Sequence, residues 1–302
     1  MKTKIKSYIS VTFIILTIFI LFQSCTEKDN KIFSTQYIGL VVEGAITTDT
    51  TVHTVILKKS NDPENKVPVQ FISKAIVTIS DGKNIFPLTE NPDKKGYYNT
   101  LPNVYGIPGN NYTLNISNVD VNNDGVMETY SASSLLRNEL PVDSISFFYQ
   151  KFSPDFKGLA VNLYAQDIGA GRDYYLIKIK KNSELITDSL YEYSIANNSG
   201  FEGKYYDGIS VYFLNETKPD ELVKPGDTIT LELNGITEDY FNFITGIITE
   251  YQPKNPIFSG PSANVVTNLT SSTSNNVSGF FAAYSIKRKT RIYQIPQFPI
   301  PK

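Results

Sequence analysis

Short segments in which apolar and polar residues alternate recur along the chain, and they constrain its fold more than any other feature. In "NYTLNIS" every second residue from Tyr112 to Ile116 is apolar, and in "TITLELN" the same holds from Ile229 to Leu233. Successive side chains of a strand point to opposite faces, so this pattern predicts strands that are buried on one side. Turn sequences such as "SDGKN" and "KPGD" separate the segments. The sequence therefore predicts a mainly β fold.

The number and spacing of these segments predict two domains. Six or seven short strands within residues 37–138 predict an immunoglobulin-like sandwich. The polar segment "LLRNELPVDS", which contains Pro141, predicts a boundary. Residues 139–302 are then predicted to form a second β-sandwich or barrel-like domain.

One segment has helical rather than strand periodicity. In "TEDYFNFITGIITEYQ", residues 237–252, apolar residues recur every three or four positions, as in an amphipathic helix. Thr237 is suited to cap its start, and Glu238 and Asp239 complement the helix dipole in the first turn. We expect this helix to cover one end or one face of the second domain.

The first 24 residues have the layout of an export signal. Lys2, Lys4 and Lys6 precede an apolar run of 15 residues, 8–22, which is shorter than the roughly 20 residues of a membrane-spanning helix. Cys25, the only cysteine, follows where charged residues begin. The arrangement resembles a bacterial lipoprotein signal, in which the cysteine is acylated and becomes the first mature residue. The alternative is a buried structural cysteine.

Acylation of Cys25 would make residues 1–24 a signal peptide and residues 25–36 a polar tether. Cleavage removes three lysines and no acid, so 28 basic residues become 25 against 30 acidic ones, a net charge of about −5. A negative chain is poorly suited to nucleic acid or to anionic headgroups. We therefore expect attachment to the membrane through acyl chains such as palmitate, and no nucleic-acid partner.

Few residues of the chain are suited to catalysis. His53 is the only histidine. If Cys25 is acylated, Cys–His dyads and the usual zinc sites are excluded, and any Ser–His–Asp triad would have to use His53. A carboxylate pair for glycoside hydrolysis stays open, because such pairs form in space and leave no sequence pattern. We expect a protein with neither enzymatic activity nor a cofactor.

The segment "DVNNDGVMETYS" resembles a calcium loop in its first half. Asp120, Asn122 and Asp124, followed by Gly125, offer oxygen ligands at alternate positions. The twelfth position, where such loops have a bidentate carboxylate, is Ser131. The alternative is an Asp-Gly hairpin between two strands, and we favour it because it explains the same residues.

Two segments are candidates for contact with a ligand or partner. Tyr205 and Tyr206, in "NNSGFEGKYYDG", would offer aromatic surface to a sugar or a peptide. The irregular loop after the helix would contribute Asn255, Phe258 and Asn264. The alternative for the tyrosines is packing, because adjacent residues of a strand face opposite sides and one ring of each pair enters the core.

The order of several segments resembles one known family. The segments are the lipoprotein cysteine, "LVVEGAI", "AIVTISDG", "GYY", "GIPGNNYTLNI", "DIGAGRDYYLIKI" and the stretch from "NPIFSGPSANVV" to "VSGFFAAYSI". Together they resemble the Bacteroidota lipoproteins grouped as domain of unknown function 4249. The resemblance implies a cell-envelope lipoprotein, often encoded beside a TonB-dependent receptor of the SusC type. It implies no catalytic residues.

Three functional hypotheses follow. The first is a lipid-anchored protein on the exterior face of the outer membrane, an accessory or ligand-binding partner of a TonB-dependent receptor in nutrient uptake. The second is a structural or adhesive envelope protein that binds other surface proteins or glycans. The third, a hydrolase with a carboxylate pair, has the least support.

Overall fold

The computed structural model describes residues 39–60, 68–169, 171–252, 265–273 and 277–295. The predicted signal peptide and the tether with Cys25 lie outside these ranges. The candidate loop residues Asn255, Phe258 and Asn264 lie outside them as well.

The first half of the described chain forms seven strands. They are β1 (Leu40–Thr47), β2 (Thr54–Lys59), β3 (Ile76–Ser80), β4 (Ile85–Glu90), β5 (Tyr97–Asn99), β6 (Asn111–Val119) and β7 (Glu128–Leu135). They pair antiparallel in the order β1-β2-β5-β4-β3-β6-β7. Inward apolar residues alternate with outward polar ones along β6, as its sequence predicts.

The second half contains nine further strands among the described residues, and one helix. The elements are β8 (Val142–Ser153), β9 (Phe156–Gln166), β10 (Tyr174–Lys181), β11 (Glu184–Leu185), β12 (Ser194–Asn197), β13 (Tyr205–Asn215), β14 (Thr228–Ile236), α1 (Glu238–Tyr251), β15 (Leu269–Ser271) and β16 (Val277–Ile292). Strands β13, β9 and β8 form a separate three-stranded sheet. The other strands extend the large sheet of the first half.

Strand β16 joins the two halves. Its first eight residues pair in parallel with β1, from Leu40–Val277 to Thr47–Tyr284. Its remaining residues pair antiparallel with β14, from Gly235–Ser285 onward. The short β15 pairs with β7. Residues late in the chain therefore complete the first sheet, while the predicted division into domains at residue 138 stays a prediction.

The described residues contain three hydrophobic cores. The first lies among β1–β7 and also receives Phe281 and Ala283 from β16. The second lies between the three-stranded sheet and strands β10 and β14 of the large sheet, and it contains Val161, Ile177 and Leu231. The third lies under α1 and contains the buried residues Leu176, Ile244 and Phe280, among others. The predicted mainly β, sandwich-like fold with one helix is confirmed.

Helix α1 begins and packs as its sequence predicts. The Thr237 hydroxyl accepts a hydrogen bond from the amide of Tyr240 at 3.2 Å, and Glu238 and Asp239 occupy the first turn. Phe243 and Ile244 are buried against the face of the large sheet opposite the second core. No helix in the described part of the chain is long and apolar enough to cross a membrane.

Candidate functional site

A cleft of about 310 Å³ lies where the segment between β7 and β8 passes the loop between β9 and β10. The first segment contributes Arg137 and Glu139 to its lining, and the second contributes Gly169 and Asp173. Tyr175 of β10 also lines it. The cleft therefore combines both signs of charge with aromatic surface, as small-molecule sites commonly do.

Arg137 and Asp173 form an ion pair in this cleft, with Nη2 at 2.5 Å from Oδ1. Their side chains keep 39% and 24% of their surface exposed, so a bound molecule can reach both. Exposed ion pairs contribute only roughly 0–1 kcal/mol to stability. The more consequential property is chemical, because the guanidinium offers donors beside a carboxylate that accepts. The pair is suited to a ligand that carries both donors and acceptors.

Asp167, at the end of β9, fixes the loop that carries Asp173. Its Oδ1 accepts hydrogen bonds from the amides of Gly169 and Gly203, each at 3.0 Å. Its Oδ2 accepts from Asn198 Nδ2 at 3.0 Å and from the Tyr206 hydroxyl at 3.2 Å. Asp167 and Asn198 are both buried. A buried carboxylate with four donors holds the surrounding loops in one arrangement.

The pKa shifts of Asp167 and Tyr206 are consistent with this structural role. Burial raises the pKa of Asp167, but the hydrogen bonds from Gly203, Asn198 and Gly169 outweigh burial and hold that pKa below its ordinary value. Burial, together with the charge of Asp167, raises the pKa of the Tyr206 hydroxyl. Asp167 is therefore ionised at neutral pH, and Tyr206 keeps the proton that it donates.

Asn198 links the anchor to the ion pair. Its Oδ1 accepts from the amide of Asp173 at 2.9 Å, and its Nδ2 also donates to the carbonyl of Gly171 at 2.9 Å. The carbonyl of Asp173 also accepts from the amide of Asn198, so Asn198 binds both backbone groups of Asp173. The geometry of the cleft depends on residues that do not line it.

Two glycines at the cleft are required by close approaches. A Cβ at Gly169 would lie 2.5 Å from Asp173 Oδ2, and a Cβ at Gly235 would lie 2.4 Å from the carbonyl oxygen of Asn138. Both distances are far shorter than van der Waals contact. Alanine at either position would displace the Asp173 carboxylate or the segment between β7 and β8.

The structure separates the two tyrosines that the sequence singles out. Tyr206 is buried in the second core and donates to Asp167. Tyr205, its neighbour on β13, is exposed. Neither residue lines the cleft. The pair of tyrosines therefore behaves as the alternation of side chains along a strand requires.

The segment with Asp120, Asn122 and Asp124 connects β6 to β7, which pair antiparallel. The Asp120 carboxylate accepts from the amides of Asp124 and Gly125. The Asp124 carboxylate accepts from the amide of Val126 and from Asn122 Nδ2. These are the contacts of a hairpin loop that satisfies its own carboxylates. No metal-binding group of three His, Cys, Asp or Glu occurs among the residues that the structure describes.

Arg137, Asp167 and Asp173 were not singled out by sequence reasoning. The sequence signal was the glycine loop "IGAGR" with an aspartate on each side, at 167 and 173. The partner Arg137 lies 36 residues before Asp173. Only the fold brings these residues together, because Arg137 follows β7 whereas Asp167 follows β9 and Asp173 precedes β10.

The chain is a mainly β, sandwich-like protein with a polar cleft. Residues 33–290 match the family described as Domain of unknown function (DUF4249). The match covers most of the chain, which therefore belongs to this family. A comparison with curated proteins gives no match.

Proposed function

We propose that this chain is a lipid-anchored cell-envelope protein of Bacteroidota type that binds a ligand without transforming it. It would act on the exterior face of the outer membrane as a partner of a TonB-dependent receptor of the SusC type. The binding role rests on the cleft with its Arg137–Asp173 ion pair, whose loop is fixed by the buried Asp167. The predicted signal peptide, residues 1–24, which directly precedes Cys25, supports the lipid anchor.

The chemistry of the cleft favours a short ligand rich in hydroxyl or amide groups. Its volume of about 310 Å³ is near the lower limit of ligand sites, roughly 300–1,000 Å³. Arg137 donates, while Asp173 and Glu139 accept. Oligosaccharides and short peptides carry alternating donors and acceptors of this kind, and nutrient uptake would deliver either class to a receptor.

The position of His53 supports a binding role rather than catalysis. His53 is buried in the first half of the chain, and its Nε2 lies 3.2 Å from the carbonyl oxygen of Val104. Burial lowers the pKa of its imidazole. The only histidine of the chain therefore packs against a loop of the first sandwich and does not line the cleft.

The binding role predicts that Arg137→Gln weakens ligand binding. Titration calorimetry against neutral and acidic oligosaccharides and short peptides should identify a ligand. A lost hydrogen bond to a charged group costs about 1.5–3 kcal/mol, so the dissociation constant should rise about tenfold to a hundredfold. Lys83→Gln is the control for a lost positive charge, because Lys83 is exposed and does not line the cleft. Equal binding by the wild type and both variants would place the ligand elsewhere.

The partnership with a receptor has its own test. The tagged chain, isolated from cells in mild detergent, should recover a TonB-dependent β-barrel that mass spectrometry identifies. Recovery of other surface proteins instead, together with retention on cells that lack the receptor, would favour the structural or adhesive alternative.

A further inference from the structure

Four phenylalanines, three of them exposed and Phe213 half-buried, form a patch at one end of the three-stranded sheet. Phe152 and Phe156 flank the turn between β8 and β9, and Phe213 lies on β13. The ring centroids of these three are 4.7 to 5.6 Å apart. Phe148 of β8 and Phe213 of β13 lie on either side of Ala160 in the central strand β9, because both residues pair with it. These four residues are called the phenylalanine patch.

The phenylalanine patch leaves large rings in contact with water. Phe148, Phe152 and Phe156 are 59%, 63% and 45% exposed. A phenylalanine buries about 150–250 Å² when it is covered, so the three rings expose roughly 300 Å² together. Patches of this size on a monomer commonly mark an interaction site.

The patch lies on a projecting end of the hairpin. The ladder between β9 and β13 ends at the pair Gly158–Asn215, whereas β8 and β9 remain paired as far as Ser153–Phe156. Residues 151–156 are all exposed. A projecting end can insert between the lipids of a bilayer, whereas a protein partner would need a groove of matching shape.

Two lysines follow Phe152 and Phe156 on the side away from the turn, and Phe148 and Phe213 lie beyond them. Lys151 and Lys157 pair directly with each other across the hairpin, one residue further from its end than Phe152 and Phe156. Lys157 also contacts Glu216, with Nζ 2.9 Å from Oε1. Aromatic rings at the acyl boundary with ammonium groups at the level of the phosphates are typical of segments that bind the membrane interface.

We propose that Phe152 and Phe156, at the projecting end of the phenylalanine patch, insert into the interfacial region of a lipid bilayer and hold the folded body against the membrane. This inference rests on the proposed acyl anchor. The chain from Cys25 to Gly39 spans at most about 50 Å when it is fully extended, so an anchored body always has a bilayer within reach. The interaction is reversible and adds to the acyl chains, since a few rings bind an interface only weakly on their own.

Single tryptophans test this contact, because the chain contains none. The full acylated protein with Phe152→Trp is reconstituted into vesicles of phosphatidylcholine whose acyl chains carry bromine. At a depth of 5–10 Å the tryptophan should lose roughly half of its fluorescence relative to unbrominated vesicles. Phe156→Trp replaces it if the first variant does not fold, as judged by circular dichroism.

Ile85→Trp is the matched control, because Ile85 is also exposed and begins a strand after a hairpin turn with the polar sequence "DGKN". It should show no quenching. Equal emission of Phe152→Trp in brominated and unbrominated vesicles would overturn the proposal. A blue-shifted tryptophan without quenching would overturn it in favour of a protein that covers the patch. If the chain carries no palmitate and does not bind to the vesicles at all, the proposed acyl anchor on which the inference rests is refuted.

Discussion

At the scale of single residues, Glu232 organises the charges that tie the two halves together. Only 6% of its side chain is exposed, and its Oε1 lies 2.7 Å from both Lys180 Nζ and Arg288 Nε. Arg288 also contacts both carboxylate oxygens of Asp49, at 2.8 and 2.5 Å. This bidentate geometry makes the contact strong as well as directional. The network links β10, β14 and β16 to the turn after β1.

The network makes stability depend on pH in a defined direction. Burial raises the pKa of Glu232, but Lys180 and Arg288 outweigh burial and hold that pKa below its ordinary value. The hydrogen bond from Arg288 lowers the pKa of Asp49. Carboxyl groups whose pKa is lower in the folded state stabilise the fold above their unfolded pKa, roughly 4, and this stabilisation is lost as the pH falls through the folded pKa.

Arg288→Gln should therefore lower the free energy of unfolding near neutral pH. It should also reduce the fall in melting temperature between pH 5 and pH 3. It leaves Glu232 with one cationic partner, and we expect a loss of about 2 kcal/mol at pH 7, because Arg288 is partly exposed. Urea unfolding at pH 7 and melting temperatures from pH 5 to 3 measure both effects. Lys289→Gln, on the same strand, controls for the lost charge. If the melting temperature of Arg288→Gln falls between pH 5 and pH 3 as steeply as that of the wild type, this role is contradicted.

At the scale of elements, local patterns predicted local structure. The alternation in "NYTLNIS" and the helical period of residues 237–252 are confirmed by β6 and α1. These patterns record which side of an element is buried, and that information lies within a few residues. The parallel pairing of β1 with β16 joins residues more than 230 positions apart, so no local pattern could specify it. The same limit concealed the Arg137–Asp173 pair of the cleft.

The start of α1 offers a direct test of a local signal. Thr237→Ala removes the side-chain oxygen that accepts from the Tyr240 amide, and we expect a loss of about 1 kcal/mol in unfolding free energy. Thr245→Ala is the matched control, because Thr245 lies in the exposed interior of the same helix and its hydroxyl donates to the carbonyl of Phe241. Alanine is favourable there. Equal losses in the two variants would show that the cap does not matter.

At the scale of the whole molecule, β16 makes the first sandwich depend on the end of the chain. It pairs with β1 over eight residues and buries Phe281 completely in the first core. A sandwich without this strand would expose apolar surface and leave the β1 edge unpaired.

A fragment of residues 37–138 should therefore not unfold cooperatively. Urea titration followed by circular dichroism should give a broad, shallow change for the fragment and a sharp transition for the full chain. A sharp transition in the fragment would show that the first sandwich folds independently. Such a result would support the division at residue 138 that the sequence predicts.

We propose that acyl chains on Cys25 attach the folded β structure to the membrane. Mass spectrometry of the N-terminal tryptic peptide, from protein purified out of the membrane fraction, tests this most directly. We expect a peptide that begins at residue 25 and carries fatty acyl chains, and we expect it to be absent in Cys25→Ala. A chain that retains residues 1–24, or one with an unmodified thiol at Cys25, would contradict it.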